Sequence, residues 1–231
     1  MAIRGDSKKI IVGAAQLFIS KSGALEYVSG TGPDASYAFT GQSASASVPA
    51  FSASTSYADT LEAATANWRN VGYTMNGLEV QFQPDFGEVQ VDQLLDVARL
   101  YKQGMQVNMA TAFAESTLEN LLVAVAAKES DFDDDNADLL QFNIASGDLG
   151  EVPVERALIA VGPGSGDPAA VGVAAKERVY TANRALSIDN VTVSAKRDEA
   201  SMFEVSFRLL PAANGSYGKI VDRTVGTAGE V

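Results

Sequence analysis

An acidic stretch of the chain has the spacing of the first calcium ligands of an EF-hand loop. Carboxylates stand at positions one, three and five of such a loop, as Asp131, Asp133 and Asp135. The sixth position, which requires glycine, holds Asn136, and the twelfth, which requires a bidentate glutamate, holds Phe142. Residues 128–155 contain nine acids and one base, which favours a solvated acidic loop. Calcium binding through the loop Asp131–Asp138 is the alternative.

A glycine run after a predicted buried strand has the outline of a nucleotide-binding loop. The apolar residues 157–161 (ALIAV) precede Gly162, Gly164 and Gly166. The third glycine of a GxGxxG fingerprint would fall on Asp167, whose carboxylate would repel a pyrophosphate. The Gly-Lys-Ser/Thr of a Walker loop is also absent. The run therefore predicts a wide turn.

Histidine and cysteine are absent from the sequence, which removes the commonest general base, the commonest zinc ligands and the thiolate nucleophile. Two Ser-Lys pairs, Ser7-Lys8 and Ser20-Lys21, lie in polar segments where a hydrated lysine stays protonated and cannot act as a base. No carboxylate pair is flanked by the aromatic residues of a sugar site, and Trp68 is the only tryptophan. We therefore expect no enzyme, no catalytic residue, no cofactor and no bound metal.

The charge of the chain limits its partners. Seventeen Lys and Arg against 29 Asp and Glu give a net charge of −12. The first 72 residues balance five acids against five bases, so the whole excess follows Gly72. Because nucleic-acid affinity comes from Lys and Arg, we expect no tight or sequence-specific nucleic-acid binding. We also expect no signal peptide and no membrane-spanning segment, and the absence of cysteine suits a reducing cytoplasm.

Two segments, 77–83 and 103–114, alternate apolar and polar residues with the period of a half-buried β-strand. The apolar set, with one threonine, is Leu78, Val80, Phe82, Met105, Val107, Met109, Thr111 and Phe113. The polar and small set is Glu79, Gln81, Gln83, Gln106, Asn108, Ala110 and Ala112. The connection 92–104 fits either a short helix or an extended chain.

A helix is predicted directly after the second of these strands. Ser116 followed by Glu119 forms a capping box, in which each side chain satisfies a free backbone N–H of the first turn. The apolar stripe that follows consists of Leu118, Leu121, Leu122 and Val125.

The remaining segments are less regular. Residues 1–14 predict an N-terminal arm, and 15–20 and 25–28 predict short strands. Residues 29–66, with eight serines and ten alanines, fit either a flexible insertion or a long hairpin with limbs at 37–39 and 51–57 that orders against another subunit. Two closing strands, 188–195 and 203–209, predict a hairpin. The end of the chain, 212–231, predicts a loose tail, with a short edge strand at 217–221 as an option.

Several of these segments carry a resemblance to a known family. They are VGYTMNG (71–77), QPD (83–85), EVQVDQLLD (88–96), AESTLENL (114–121), LSIDNV (186–191), KRDEA (196–200) and FEVSFRLLP (203–211). Their order, together with the long alternating strand, resembles the major tail tube protein of long-tailed bacteriophages, and the likeness extends over about half the chain.

The resemblance implies a mainly β fold, a β-sandwich or barrel of antiparallel strands flanked by one α-helix, as a single tail tube domain over 1–231. It implies six copies per ring, inner sheets joined into one barrel, and rings stacked into a hollow tube. DNA would pass through the tube during ejection without specific binding. The implied partners are the tape measure, tail terminator and distal tail proteins. The implied location is the tail of the virion, after assembly in the cytoplasm of the bacterial host.

The resemblance also assigns roles to the alternating residues, because a tube wall has a lumen face and a packed face. The candidates for the lumen are Glu79, Gln81, Gln83, Gln106 and Asn108. The candidates for core and helix packing are Leu78, Val80, Phe82, Val107, Phe113, Leu118, Leu121, Leu122, Val125 and Phe207. From pattern alone, the polar set fits bulk solvent around a monomer as well. Two other classes stay open: an acidic β-rich binding module or adhesin, and a histidine-free enzyme.

Overall fold

The computed structural model of the protein describes residues 13–21, 23–91, 94–133, 139–144, 150, 153–165, 175–193, 197 and 201–226. Residues 90, 91, 94–98 and 175 are described by their backbone. Most of the predicted arm 1–14, the aspartates within 134–138 and the glycine run beyond residue 165 lie outside this set. The assignment of one domain to 1–231 stays a prediction.

Within the described residues the chain forms twelve β-strands and three α-helices. The strands are β1 (Gln16–Ser20), β2 (Glu26–Ser29), β3 (Ser36–Ala38), β4 (Trp68–Asn70), β5 (Thr74–Val91), β6 (Leu94–Phe113), β7 (Phe132–Asp133), β8 (Gln141–Phe142), β9 (Arg156–Pro163), β10 (Ala175–Ser187), β11 (Phe203–Leu209) and β12 (Gly218–Val225). The helices are α1 (Ala44–Ser47), α2 (Tyr57–Ala63) and α3 (Leu118–Ala124), with 3₁₀ turns at Gly32–Asp34 and Glu129–Asp131. The prediction of a mainly β, antiparallel fold is confirmed.

The largest element of the fold is one antiparallel sheet of eight strands. Its order is β4-β1-β9-β10-β11-β6-β5, with β12 paired to β10. Strand β10 belongs to two halves of this sheet, because its first part pairs with β12 and its last residues, Ala185–Ser187, pair with β11. The register of β10 against β9 shifts between Ala182 and Ala185, the local irregularity that lets a strand bend from one layer to the next.

The main hydrophobic core lies between the two halves of the bent sheet. Leu17 and Leu158 from one half share a buried cluster with Val107, Met109 and Phe207 from the other. Strand β5 contributes Leu78 and Val80 at the border of this cluster, where both are partly buried. The two layers therefore form a sandwich whose apolar positions interdigitate.

A second core lies on the outer face of β1 and β9. Phe18 and Ile159, from alternate positions of these strands, pack here against Tyr37, Phe39 and Leu61 of the Ser/Ala-rich segment. Strands β1 and β9 are thus buried on both faces, which is why 157–161 reads as a continuous apolar run instead of an alternating one.

Residues 29–66 therefore fold against the sheet, and the predictions of a flexible insertion or of a long hairpin are wrong. The serines make local hydrogen bonds: Ser43 and Ser56 cap α1 and α2, and the Ser47 hydroxyl accepts a hydrogen bond from the backbone N–H of Phe39 at 2.9 Å. The Trp68 indole donates to the Ser47 carbonyl at 2.8 Å. Few bulky residues suffice because the sheet supplies the other half of the core.

The predicted helix is present as α3, but it begins one residue later than expected. Its N-cap is Thr117, whose hydroxyl accepts from the backbone N–H of Asn120 at 3.2 Å. The helix has only seven residues, so Leu122 is buried, whereas Leu118 and Val125 at its ends are 37% and 51% exposed. The prediction that Leu118 and Val125 pack in the core is therefore wrong.

The end of the chain also differs from expectation. Strand β11 coincides with the predicted strand 203–209, but it pairs with β10 and β6, and no strand is present in the described part of 188–195. Residues 218–225 form β12, paired with β10 along its whole length, so the prediction of a loose tail is wrong for them. The extended alternative for 92–104 is correct from Leu94 onward. Among the described residues, the helices are too short for any of them to cross a lipid bilayer.

Candidate functional site

The long hairpin formed by β5 and β6 is the most unusual element of the sheet. The two strands have 18 and 20 residues and stay paired from Thr74 with Phe113 to Val91 with Leu94. Strand β11 covers the far side of β6 only between Val107 and Phe113. The hairpin therefore has an inner part, which belongs to the sandwich, and an outer part from Pro84 to Met105, here called the ribbon, which extends beyond β11.

The inner part brings all five lumen candidates to one face of the sheet. In the antiparallel register Gln83 lies opposite Gln106, and Gln81 lies opposite Asn108, while Glu79 lies opposite Ala110. Directly paired residues share a face, so the five side chains form one polar surface. It is accessible to solvent, with the β5 residues exposed and the two β6 residues partly exposed.

Hydrogen bonds along each strand join four of these five side chains in two pairs. The Gln81 amide donates to the Glu79 carboxylate at 2.7 Å, and the Gln106 amide donates to the Asn108 side-chain oxygen at 3.3 Å. These amides are uncharged and cannot form an ion pair with a phosphate.

Strand β11 adds three residues that were not among the candidates. Glu204, Ser206 and Arg208 lie opposite Ala112, Ala110 and Asn108, respectively, and so continue the same polar face. Their alternation with Phe203, Val205 and Phe207 in the sequence was the available signal. Whether they join the candidate face depends on the pairing of β11 with β6, which the sequence does not state.

The opposite face of the inner part packs in the core. Val107, Phe113 and Phe207 are buried, and the Phe113 and Phe207 rings lie 6.4 Å apart. Phe82 differs from the prediction, since 53% of it is exposed. Phe82 pairs with Val107, the last residue of β6 that β11 covers, so it lies at the end of the sandwich.

The ribbon exposes large apolar side chains to solvent on both faces. Phe86 is 55% exposed and Leu100 60%. Val89 and Tyr101, on the other face, are also exposed. In the described sheet β5 pairs with β6 alone, so its outer edge has no partner. A two-stranded ribbon is marginally stable in water, and unpaired edges are normally covered or charged.

An open cleft of about 710 Å³ lies where the ribbon leaves the sandwich. Val80, Phe82 and Met105 line it from the hairpin, and Tyr217 and Ile220 line it from the side of β12. A smaller polar depression of about 460 Å³ on the other face is lined by Glu79, Asp189 and Glu204. Among the described residues no cluster of carboxylates is close enough to hold a metal ion.

Five arginines of the described structure form ion pairs with carboxylates. The pairs are Arg69 with Glu119, Arg156 with Glu129, Arg178 with Asp222, Arg184 with Glu155 and Arg223 with Glu177. The hydrogen bond from Arg178 lowers the pKa of Asp222, and burial lowers the pKa of Arg69 against the opposing effect of Glu119. Most arginines are thus neutralised locally, and the unpaired surface charge is largely acidic.

The calcium alternative stays a prediction. Asp131 ends a 3₁₀ turn and Asp133 lies in β7, which pairs with β8. The remaining carboxylates of that loop lie outside the described residues.

Comparison with known proteins does not assign the chain to a family. No protein-family model matches the chain, and no curated protein is similar enough to be a relative.

Proposed function

We propose that the protein is the structural protomer of a phage-type tail tube, in which copies join edge to edge into rings and the rings stack into a hollow tube. The observation that carries the proposal is the β5–β6 hairpin. Within the described sheet it combines an 18-residue edge without a partner with a ribbon that exposes apolar side chains on both faces. A chain with such an edge is complete only in an assembly, because closure of the sheet removes the edge.

The energetics of the ribbon support assembly. Burying a large apolar side chain contributes roughly 1.5–3 kcal/mol, and four such side chains are exposed on the ribbon: Phe86, Val89, Leu100 and Tyr101. The monomer lacks this stabilisation, whereas an assembly in which a neighbouring copy covers the ribbon has it. Because each contact repeats around a ring, the gain is available to every copy.

The polar face supports a role as the wall of a DNA channel. Its residues are amides, small side chains and two glutamates, with Arg208 as the single cation among the residues placed there. DNA affinity rises with the number of Lys and Arg that reach phosphates. A mostly neutral and acidic wall therefore allows a polyanion to slide without adhering.

Assembly of the purified full-length protein tests the proposal. We expect negative-stain microscopy to show rings that stack into tubes, and sedimentation velocity to show an increase in mass with concentration. Class averages of end-on views would give the number of copies per ring, which the resemblance puts at six. A single monomeric species at every concentration, with no rings or tubes, would contradict the proposal.

The channel role has a separate test. Substituting Gln81→Lys and Gln106→Lys would add two cations per copy to the polar face without changing the core. We expect tubes of this variant to retain double-stranded DNA in sedimentation at low salt, and wild-type tubes to release it. Equal retention by both would show that the polar face does not line the path of DNA.

A further inference from the structure

A pocket of about 270 Å³ lies between the Ser/Ala-rich segment and strands β10 and β12. Small side chains such as Ala44 and Ala50 leave this space, and the rings of Tyr37, Phe51 and Tyr57 line it. Phe51 is 43% exposed, so the pocket reaches the surface beside it. Because a cavity of roughly 150 Å³ is enough to hold benzene, this pocket has room for an aromatic ring with a short substituent.

The amide of Asn183 lines this pocket and is only 1% exposed. Its backbone is fully paired: the N–H donates to the Tyr217 carbonyl at 3.0 Å, and the carbonyl accepts from the Leu25 N–H at 2.8 Å. The side-chain nitrogen, by contrast, has no hydrogen-bond partner among the described residues. A buried donor without a partner is destabilising and rare, so this amide points to an acceptor from outside the chain.

Strand pairing directs Asn183 and Lys219 to the same side of the sheet. Lys219 of β12 pairs with Thr181 of β10, and paired residues share a face. Asn183 follows Thr181 by two residues and therefore lies on that face as well. Val179, two residues earlier, packs in the second core. Both polar side chains thus face the space between the sheet and the Ser/Ala-rich segment, where both line the pocket.

The charge at this pocket is opposite to that of the chain as a whole. Lys219 forms no ion pair within the part of the chain that the structure describes, and the described lining residues include no Asp or Glu. The Tyr37 hydroxyl accepts from the Asn214 amide at 3.0 Å, which leaves its proton free to be donated. In a protein of net charge −12, the pocket therefore offers donors and a cation without a competing carboxylate.

We infer that this pocket binds a small apolar molecule that carries one carboxylate. The apolar body lies among the three rings, and the carboxylate accepts from the Asn183 amide and pairs with the Lys219 ammonium. Hydrogen bonds to an ionised acceptor are stronger than neutral ones, so the carboxylate satisfies the buried donor better than water does. A doubly charged phosphate is a poorer match, because one lysine supplies a single positive charge. The pocket lies within one chain, so this function is separate from the proposed tube.

Phenylacetate and phenylacetamide are matched probes for this pocket, because they share the ring and the size and differ in charge. A ligand-observed NMR titration of the full-length protein measures the affinity of each, and it works for a single chain and for a large assembly alike. We expect the wild type to bind phenylacetate at least about tenfold more tightly than phenylacetamide, because only the carboxylate forms a charge-assisted hydrogen bond and an ion pair.

Two variants assign the binding to this pocket. Lys219→Gln, at a partly exposed position, is expected to abolish the preference for phenylacetate and to leave the affinity for phenylacetamide unchanged. Asn183→Leu removes the donor and fills the pocket, so both probes should bind more weakly. Lys102→Gln is the matched control: it removes the same charge from the cleft at the base of the ribbon, outside this pocket, and should bind like the wild type. Circular dichroism melts verify that each variant folds.

Three results would overturn the inference: no binding of phenylacetate to the wild type, equal affinity of the wild type for both probes, or an undiminished preference for phenylacetate in Lys219→Gln. Loss of the preference in Lys102→Gln would place the anion in the other cleft and would also overturn it. If Asn183→Leu does not fold, the comparison of the wild type with Lys219→Gln decides. Each of these results leaves the tube proposal unaffected, because that proposal is tested by assembly alone.

Discussion

The ring of Tyr101 lies across Gly87 of the opposite strand, in the space that a side chain at Gly87 would occupy. The two residues are paired in the register of the ribbon, and a Cβ built on Gly87 would lie 2.6 Å from the Cζ atom of Tyr101. The Tyr101 hydroxyl also accepts a hydrogen bond from the Gln103 amide at 3.1 Å. An aromatic ring that covers a glycine in this way shields the backbone of an otherwise exposed two-stranded ribbon.

Gly87→Val is therefore expected to displace the Tyr101 ring and loosen the ribbon. Hydrogen exchange of backbone amides in 84–101 should accelerate, while the melting temperature should change by less than a few degrees because the sandwich core is untouched. Gly104→Ala is the matched control, since a Cβ at Gly104 meets nothing within 4 Å. Unchanged exchange in Gly87→Val would show that the ring does not protect the ribbon.

Leu61→Ala tests the packing of residues 29–66 on the sheet. Leu61 is fully buried in the second core, so its truncation is expected to lower the free energy of unfolding by about 2–5 kcal/mol. Denaturant unfolding can be followed through Trp68, the only tryptophan, which is buried in the same core. Leu118→Ala, at a partly exposed position of α3, should cost less than about 1 kcal/mol. A cost as small for Leu61→Ala would mean that the segment does not pack.

Asn120→Leu is expected to destabilise the protein although it adds apolar volume. The buried Asn120 amide donates to the carbonyls of Val71 and Glu115, each at 2.9 Å, and its oxygen accepts from Arg69 at 2.7 Å. Leucine would leave these buried groups unpaired, at a cost of about 2–4 kcal/mol in a thermal or denaturant melt. Glu119→Gln, on the exposed side of α3, is the control and should cost less than about 1 kcal/mol.

Tyr57 should make the stability of the fold sensitive to alkaline pH. Burial raises the pKa of its hydroxyl to about 12, although the nearby Arg223 opposes the shift. An unfolded tyrosine has a pKa near 10. The stabilising contribution of neutral Tyr57 is therefore complete below about pH 10 and is lost as the pH rises toward 12. The absorbance difference at about 295 nm between wild type and Tyr57→Phe should titrate near pH 12, and a midpoint near 10 would contradict this.

The alternating segments were the best predictors of the fold. Strands β5, β6 and β11 follow from their period of two, because the backbone of a single strand sends neighbouring side chains to opposite faces. The ribbon was harder to predict from the sequence, because register shifts after Asp85 and Val89 interrupt the alternation of apolar and polar residues. Strand β10 was missed because it carries charged residues such as Arg178 and Arg184, which suit a strand only when Asp222 and Glu155 lie beside them.

The sequence by itself determined which residues share a face on each strand, the excess of acids after residue 72, and the lack of histidine and cysteine. These properties are local or compositional, so no partner is needed to read them. Only the tertiary structure decided that β11 extends the polar face, that 29–66 closes a second core, and that the outer edge of β5 has no strand partner in the described sheet. The physical reason is that strand pairing joins residues far apart in the chain, and its register depends on contacts that no single segment contains.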